Sequence, residues 1–264
     1  MASPVPSTVP AVITGASSGI GAEFARQLSA RGHELTIVAR RVDRLEALAD
    51  ELRGQHKVEV RVLAADLETS RGRSAVARVL RETGACILVN NAGFGTRGRL
   101  ADLDPARERA EVQVNVVALH ELAVAALPGL VAAGTGGIIN LASTAAFQPL
   151  PYMATYSATK AFVLSFSEAV GYEVRGTGVR VMVLCPGPVR TEFDEIAGVQ
   201  DYMQLAKPMT VSVQRCVATA LRAFDRGHVI CVPGRLNGAL AVGPKLAPRA
   251  LVRHIAGPVF APRG

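Results

Sequence analysis

Apolar residues fall along the chain in short dense runs, separated by longer stretches where they recur at helical spacing. Residues 9–14, 34–39, 58–64, 86–90, 137–141, 179–184 and 228–232 are rich in Val, Ile and Leu and read as strands. Residues 20–31, 43–53 and 71–82 read as helices, a long helix follows Pro105, and another carries Tyr156 and Lys160. Strands that are apolar throughout, alternating with helices, predict a parallel sheet covered on both faces. Right-handed crossovers make it a doubly wound α/β sheet of about seven strands. Neither a linker nor a repeat interrupts the pattern, so residues 1–264 are read as one unit. Residues 190–211, with Gly198 and Pro208, are expected to form a flexible lid, and residues 234–264 a basic, apolar extension.

The net charge of +7 invites a nucleic-acid or membrane reading, but its distribution argues otherwise. Arg235, Lys245, Arg249, Arg253 and Arg263 carry five of those seven charges, and no acidic residue follows Asp225. The body is close to neutral, and with no Trp to stack on bases, nucleic acid is not an expected partner. The tail interleaves its basic residues with Leu236, Leu240, Val242, Leu246, Leu251, Val252, Ile255, Val259 and Phe260. Such a segment can lie on a membrane surface, but Pro244, Pro248 and Pro258 break it, which favours packing or assembly. Residues 112–133 are interrupted by Asn115, His120, Glu121 and Pro128 and are not expected to span a membrane, and the start has no signal-peptide pattern. A cytoplasmic location is the resulting expectation. Cys86, Cys185, Cys216 and Cys231 lack metal or redox spacing and read as reduced structural residues, and no metal is assigned.

Directly after the first strand comes Thr14-Gly15-Ala16-Ser17-Ser18-Gly19-Ile20-Gly21, opening a helix. Glycines there let the backbone approach a pyrophosphate closely, and the helix N-terminus offers it free N–H groups. Gly15, Ser17, Ser18, Gly19, Ile20 and Gly21 are therefore candidate dinucleotide contacts. The second strand ends at Ala39-Arg40-Arg41, where an NAD site would carry an acidic residue for the ribose. Arg40 is positioned to grip the 2′-phosphate of NADP, while Arg41 could simply face water. Asp66, beside Leu67, is placed for the adenine edge, or as a helix N-cap.

Tyr156 and Lys160, four residues apart, share one helix face. A Tyr hydroxyl ordinarily ionises near pH 10, and a neighbouring ammonium favours its phenolate. Such a pair can deliver a proton to a carbonyl oxygen as hydride reaches the carbon.

Taken in order, Thr14-Gly15-x-x-x-Gly19-x-Gly21, Asn90-Asn91-Ala92-Gly93, Asn115, Ser143, Tyr156-x-x-x-Lys160 and Pro186-Gly187 resemble the short-chain dehydrogenase/reductase family, over about residues 8 to 233. The resemblance implies a Rossmann fold and an NADP(H)-dependent oxidoreductase. It implies Tyr156 as general acid, and Lys160 as the residue that binds the nicotinamide ribose and lowers the Tyr156 pKa. Ser143 would orient the substrate carbonyl, and Asn115 would hold a water that links Lys160 to solvent. Asn91, Ala92 and Gly93 would line the cofactor site, with Pro186, Gly187, Val189 and Thr191 at the nicotinamide and pyrophosphate. Each has a plainer reading too: Ser143 as a cap, Asn115 as a helix-bending polar residue, Thr191 as an N-cap. The family also implies a homodimer or homotetramer, through the long helices after Pro105 and at Tyr156.

The substrate pocket is expected from Phe94, Phe147, Leu150, Tyr152, Phe193, Tyr202, Met203 and Leu205, mostly apolar and without a basic clamp. A hydrophobic ketone or aldehyde is the expected substrate. The same residues would serve an alcohol dehydrogenase running in reverse. A non-catalytic NADP-binding sensor would be expected to lose Tyr156, Lys160 or Ser143.

Overall fold

Seven short strands carry the architecture: β1 (Ala11–Thr14), β2 (Leu35–Ala39), β3 (Val60–Ala64), β4 (Ile87–Asn90), β5 (Gly137–Leu141), β6 (Arg180–Leu184) and β7 (Ile230–Cys231). In this computed structural model, which describes residues 5–262 apart from the side chains of 240, 242 and 244–246, they form one sheet ordered β3-β2-β1-β4-β5-β6-β7. Every pairing is parallel. The expectations on Met1–Pro4, Arg263 and the side chains of Leu240, Val242, Lys245 and Leu246 lie outside the described residues. Every strand but β5 is shorter than its apolar run, β1, β3 and β7 by two residues or more. Pro10 has no N–H to give the ladder, and at the other end the turn at Gly227 (φ 73°) and Pro233 confine β7 to two residues.

The helices are α1 (Gly19–Ser29), α2 (Val42–His56), α3 (Ser70–Thr83), α4 (Pro105–Val112), α5 (Leu119–Ala133), α6 (Ala154–Glu173), α7 (Phe193–Ile196), α8 (Gln200–Leu205), α9 (Val213–Asp225), α10 (Arg235–Leu246) and α11 (Arg249–Phe260). One sheet face is covered by α1, α2 and α9 through Phe24, Leu28, Leu45, Leu52, Leu221 and Phe224. The other is covered by α3, α5 and α6 through Val76, Leu80, Leu122, Ala126, Leu130 and Val170. This is the doubly wound sheet that the strand–helix alternation predicts.

Between α4 and α5 the chain winds as a π-helix over Gln113–Ala118, so the expected long helix is continuous in course but not in hydrogen-bond pattern. Such bulges re-aim side chains, and this one carries Asn115. Contrary to the expectation from its polar interruptions, Pro105–Ala133 is long and apolar enough, by length and composition alone, to cross a membrane. Its Leu119, Leu122, Ala123, Ala126 and Leu130 are nevertheless buried in the protein's interior. The four cysteines are buried as free thiols, pushed up to about 12 (Cys86, Cys185, Cys216) and about 11 (Cys231) by burial, which keeps them unreactive.

The strand order reverses at β1, whose neighbours β2 and β4 lead away in opposite directions. A crevice opens at such a switch point, beyond the carboxyl ends of the strands.

Candidate active site

A cleft of about 540 Å³ occupies that crevice. Of the residues expected at a dinucleotide, Gly15, Ser17, Ser18, Gly19, Ile20, Arg40, Asp66, Leu67, Asn91, Ala92, Gly93, Pro186, Gly187, Val189 and Thr191 line it, together with Ser143, Tyr156 and Lys160. Gly21 and Asn115 stand behind its wall.

The turn after β1 is fixed by the buried Thr14 and by Asn91. Thr14 Oγ1 donates to Val89 O and accepts from the N–H groups of Asn91 (3.0 Å) and Ala92 (3.1 Å). Asn91 Nδ2 donates back to Thr14 O (2.9 Å) and Gly15 O (3.2 Å). Asn91 therefore builds the turn with its side chain. Gly15 sits at φ 66°, and a Cβ on Gly21 would stand 2.3 Å from Gly15 O, so side chains are excluded where the turn meets α1. The N-cap of α1, Ser18, makes no capping bond with its side chain. Among the described residues the first amides of α1 have no side-chain acceptor and suit a phosphate.

The two arginines after β2 both reach the cleft. Arg40 lines the cleft but is exposed. Arg41 does not simply face water: it donates to Ser17 Oγ (3.0 Å) and Ser18 Oγ (3.0 Å) and pairs with Glu192 (2.8 Å). Glu192 also pairs with Arg44, and the two guanidinium groups, Arg44 foremost, hold its carboxyl below the usual range. Asp66 is not the N-cap of α3. That role belongs to Thr69, whose hydroxyl accepts from Gly72 N, while Asp66 Oδ1 accepts from Glu68 N.

Tyr156 and Lys160 are both buried on α6. Lys160 Nζ donates to Leu141 O at the end of β5 (2.9 Å) and lies 5.7 Å from the centre of the Tyr156 ring. Burial brings the Lys160 ammonium down to about 8, against the pull of Glu111. Burial likewise lifts the Tyr156 hydroxyl above its ordinary range, with its hydrogen bond to Ser143 drawing it back. In the protein without its cofactor, desolvation outweighs the Ser143 hydrogen bond at Tyr156. Ser143 does two jobs, since its Oγ also accepts from Ala145 N (3.1 Å). Asn115 clamps the turn after β4, donating to Phe94 O (2.8 Å) and Thr159 Oγ1 (3.1 Å) and accepting from Phe94 N (3.1 Å). A Cβ on Gly93 would stand 2.8 Å from Asn115 Oδ1 and 3.4 Å from Lys160 Nζ, so that glycine lets the two groups converge. Thr191 Oγ1 accepts from Phe193 N, and its methyl faces Gly19.

Phe94, Leu150, Phe193, Tyr202 and Met203 line the remainder of the cleft, but Phe147, Tyr152 and Leu205 do not. Phe147 packs against a cluster with Val163 and Val183, and Leu205 faces outward. Periodicity cannot separate such residues, because a loop's apolar side chain packs wherever the loop turns. Phe260, from the far end of the chain, completes the apolar wall and meets Tyr202 at 4.7 Å between ring centres. Arg107 enters the cleft as well, 3.9 Å over the Phe94 ring, a basic group without a signal in the sequence.

This closure depends on Arg97, another residue that no sequence pattern marks. Its buried guanidinium pairs with Asp201 and donates to the carbonyls of Gly198 (2.8 Å), Phe260 (2.9 Å) and Ala261 (2.7 Å). One side chain thereby joins the turn after β4, the segment around α8 and the end of α11. Asn237, buried on α10, donates to Met209 O (3.1 Å) and Pro233 O (2.9 Å) and occupies the space that a side chain at Gly187 would need. The tail is thus packed on the cleft.

The short chain dehydrogenase family model matches residues 10–202. The chain belongs to that family. A sulfoacetaldehyde reductase from Chromohalobacter salexigens is 39% identical over 185 residues, 69% of this chain and 72% of that protein. The human very-long-chain 3-oxoacyl-CoA reductase is 31% identical over 225 residues, 83% of this chain and 71% of that protein. Among solved structures, a short-chain dehydrogenase from Sphingobium yanoikuyae in complex with NADPH is 37% identical, with a TM-score of 0.81 over 92% of this chain and 97% of that one. A bulky-bulky ketone specific alcohol dehydrogenase from Comamonas testosteroni is 32% identical, with a TM-score of 0.77 over 92% and 96%. This short-chain dehydrogenase is accordingly an oxidoreductase that works with a nicotinamide cofactor.

Arg97→Met is predicted to raise KM for a carbonyl substrate roughly tenfold or more, as expected from losing charge-assisted bonds of about 1.5–3 kcal/mol each, and to expose α11 to limited proteolysis. Arg97 holds the Asp201 carboxyl at about 2. A carboxylate lowered in the folded state stabilises above its unfolded pKa of about 4. The clasp therefore contributes fully above about pH 4 and fades as the pH falls toward 2, which α11 proteolysis across that range would report.

Proposed function

We propose that this enzyme reduces hydrophobic ketones or aldehydes with NADPH, and that Tyr156 is the proton donor. The observation that carries the reading is the placement of Tyr156, Ser143 and Lys160 in one buried corner of a cleft whose other half is a phosphate turn. The glycine cradle, the uncapped start of α1 and the Arg40–Arg41 pair fit an NADP molecule, which when bound supplies hydride. Ser143 would orient the substrate oxygen beside the Tyr156 hydroxyl. A tyrosine kept protonated by burial holds its proton until the oxygen gains charge, which suits the reductive direction. Lys160 would bind the ribose and steady the phenolate. Asn115 would support it by fixing the turn at Gly93 and, through that turn, a water path.

The apolar wall of Phe94, Leu150, Phe193, Tyr202, Met203 and Phe260 supports a bulky hydrophobic substrate, as does the likeness to a bulky-bulky ketone specific enzyme. Arg107 supports a second reading, a carbonyl with an anionic end, in keeping with the likeness to a sulfoacetaldehyde reductase. A panel of neutral aryl ketones and sulfonated aldehydes separates the two by kcat/KM.

Exposed Val124 and Val131 on α5, with Phe162 and Tyr172 on α6, support a homodimer or homotetramer formed through these helices. Sedimentation showing a monomer at micromolar concentration would overturn it.

Tyr156→Phe is predicted to lower kcat at least about 100-fold, the usual scale for general acid loss, with an unchanged circular dichroism spectrum. Reduction is predicted to slow as the pH rises through about 8, where Lys160 loses its charge. Arg40→Ala and Arg41→Ala should each lower the NADPH to NADH ratio of kcat/KM, and a wild-type ratio below one would refute NADPH preference.

A further inference from the structure

Glu111 is completely buried one helical turn before Asn115, and the roles assigned above leave it unused. Thr96 Oγ1 lies 2.8 Å from its Oε2 and is also hydrogen-bonded to Glu108 Oε1. A hydroxyl carries one proton. Were both carboxyls ionised, one of them would face the Thr96 oxygen with no proton between. One carboxyl therefore donates to Thr96, and Thr96 donates to the other. Glu108 is the acceptor, being half-buried and accepting from Thr155 through its second oxygen. Glu111 is the donor. Its Oε1 has no hydrogen-bond partner among the described residues, which a neutral acid tolerates far better than a carboxylate. Burial lifts its carboxyl to about 7, with Thr96 and Lys160 drawing it down and Glu108 pushing it up.

The charge of Glu111 acts on both Lys160 and Tyr156. We propose that Glu111 is a positioning residue for proton supply, a buried store that recharges Lys160 and is refilled from solvent through Glu108 and Thr96. This rests on the reading of Tyr156 as proton donor. In each turnover Tyr156 gives its hydroxyl proton to the new alcohol oxygen, and the Lys160 ammonium returns one to the phenolate. The neutral amine then takes the Glu111 proton by way of a water, since the two groups share no direct hydrogen bond. Water protonates Glu108, which donates to Thr96 as Thr96 passes its own proton to Glu111. Only O–H and N–H bonds change, and one solvent proton is consumed per alcohol. The titratable groups facing Glu111 are Glu108 on its own helix and Lys160 and Tyr156 on α6, while the turn after β4 presents the neutral Thr96.

Two measurements test this. In the cofactor-free protein, infrared spectra should show a protonated-carboxyl band at pH 6 that fades through about pH 7 and is missing in Glu111→Gln. In turnover, Glu111→Gln and Thr96→Val should each lower kcat for reduction roughly tenfold, short of the about 100-fold for a directly acting acid. KM should stay within about twofold. Both variants should also lose the fall in rate near pH 7, keeping the one near pH 8. Should Glu111→Gln fail to fold, Thr96→Val and the wild-type spectrum still decide. Absence of the band, or wild-type kcat and pH profile in both variants while Tyr156→Phe is inactive, would overturn the proton store alone. A fully active Tyr156→Phe would remove the reading beneath it.

Discussion

The cleft depends on the bonds exchanged between the ends of β1 and β4. Thr14 receives two amides from the chain leaving β4, and Asn91 returns two bonds to the turn leaving β1. At that point the strand order reverses, so the two strands have no shared continuation to hold their loops together. These bonds fix the glycine turn from behind and leave the start of α1 without a capping bond from the Ser18 side chain. They also set the course of the next residues, from Gly93, where Asn115 and Lys160 converge, to Thr96 and Arg97.

Burial then sets the chemistry. Tyr156, Lys160 and Glu111 lie in one desolvated region, and each is displaced toward its neutral form. An exposed tyrosine and lysine would be held near their ordinary values by water. Here a proton moving among the three groups meets smaller differences between lysine and carboxyl than it would in solvent, where they are separated by about six pH units.

The sheet was legible because its inner strands are buried on both faces and almost wholly apolar, whereas β3 at the edge exposes Arg61. The phosphate turn was legible because glycines spaced between a strand and a helix mark a backbone that must turn tightly and leave room for an anion. Arg41 was misjudged because spacing cannot tell which of two adjacent arginines curls back over the turn, a choice made by Ser17, Ser18 and the distant Glu192. The upward push of burial on Tyr156 was hidden for a similar reason: helical spacing reveals a neighbour, not how much water is excluded. Arg97, Asn237 and Phe260 act across more than twenty residues of separation, and no local pattern marks them. Glu111 carried a faint signal, standing four residues before Asn115 on the same helix face.

The central claim is that this cleft directs reduction at a carbonyl carbon. Incubation with NADPH deuterated at the transferring position and a bulky aryl ketone tests it most directly. The account predicts an alcohol with one deuterium on its carbinol carbon, formed by the wild type and not by Tyr156→Phe. No alcohol from any member of a broad carbonyl panel, or alcohol free of deuterium, would contradict it.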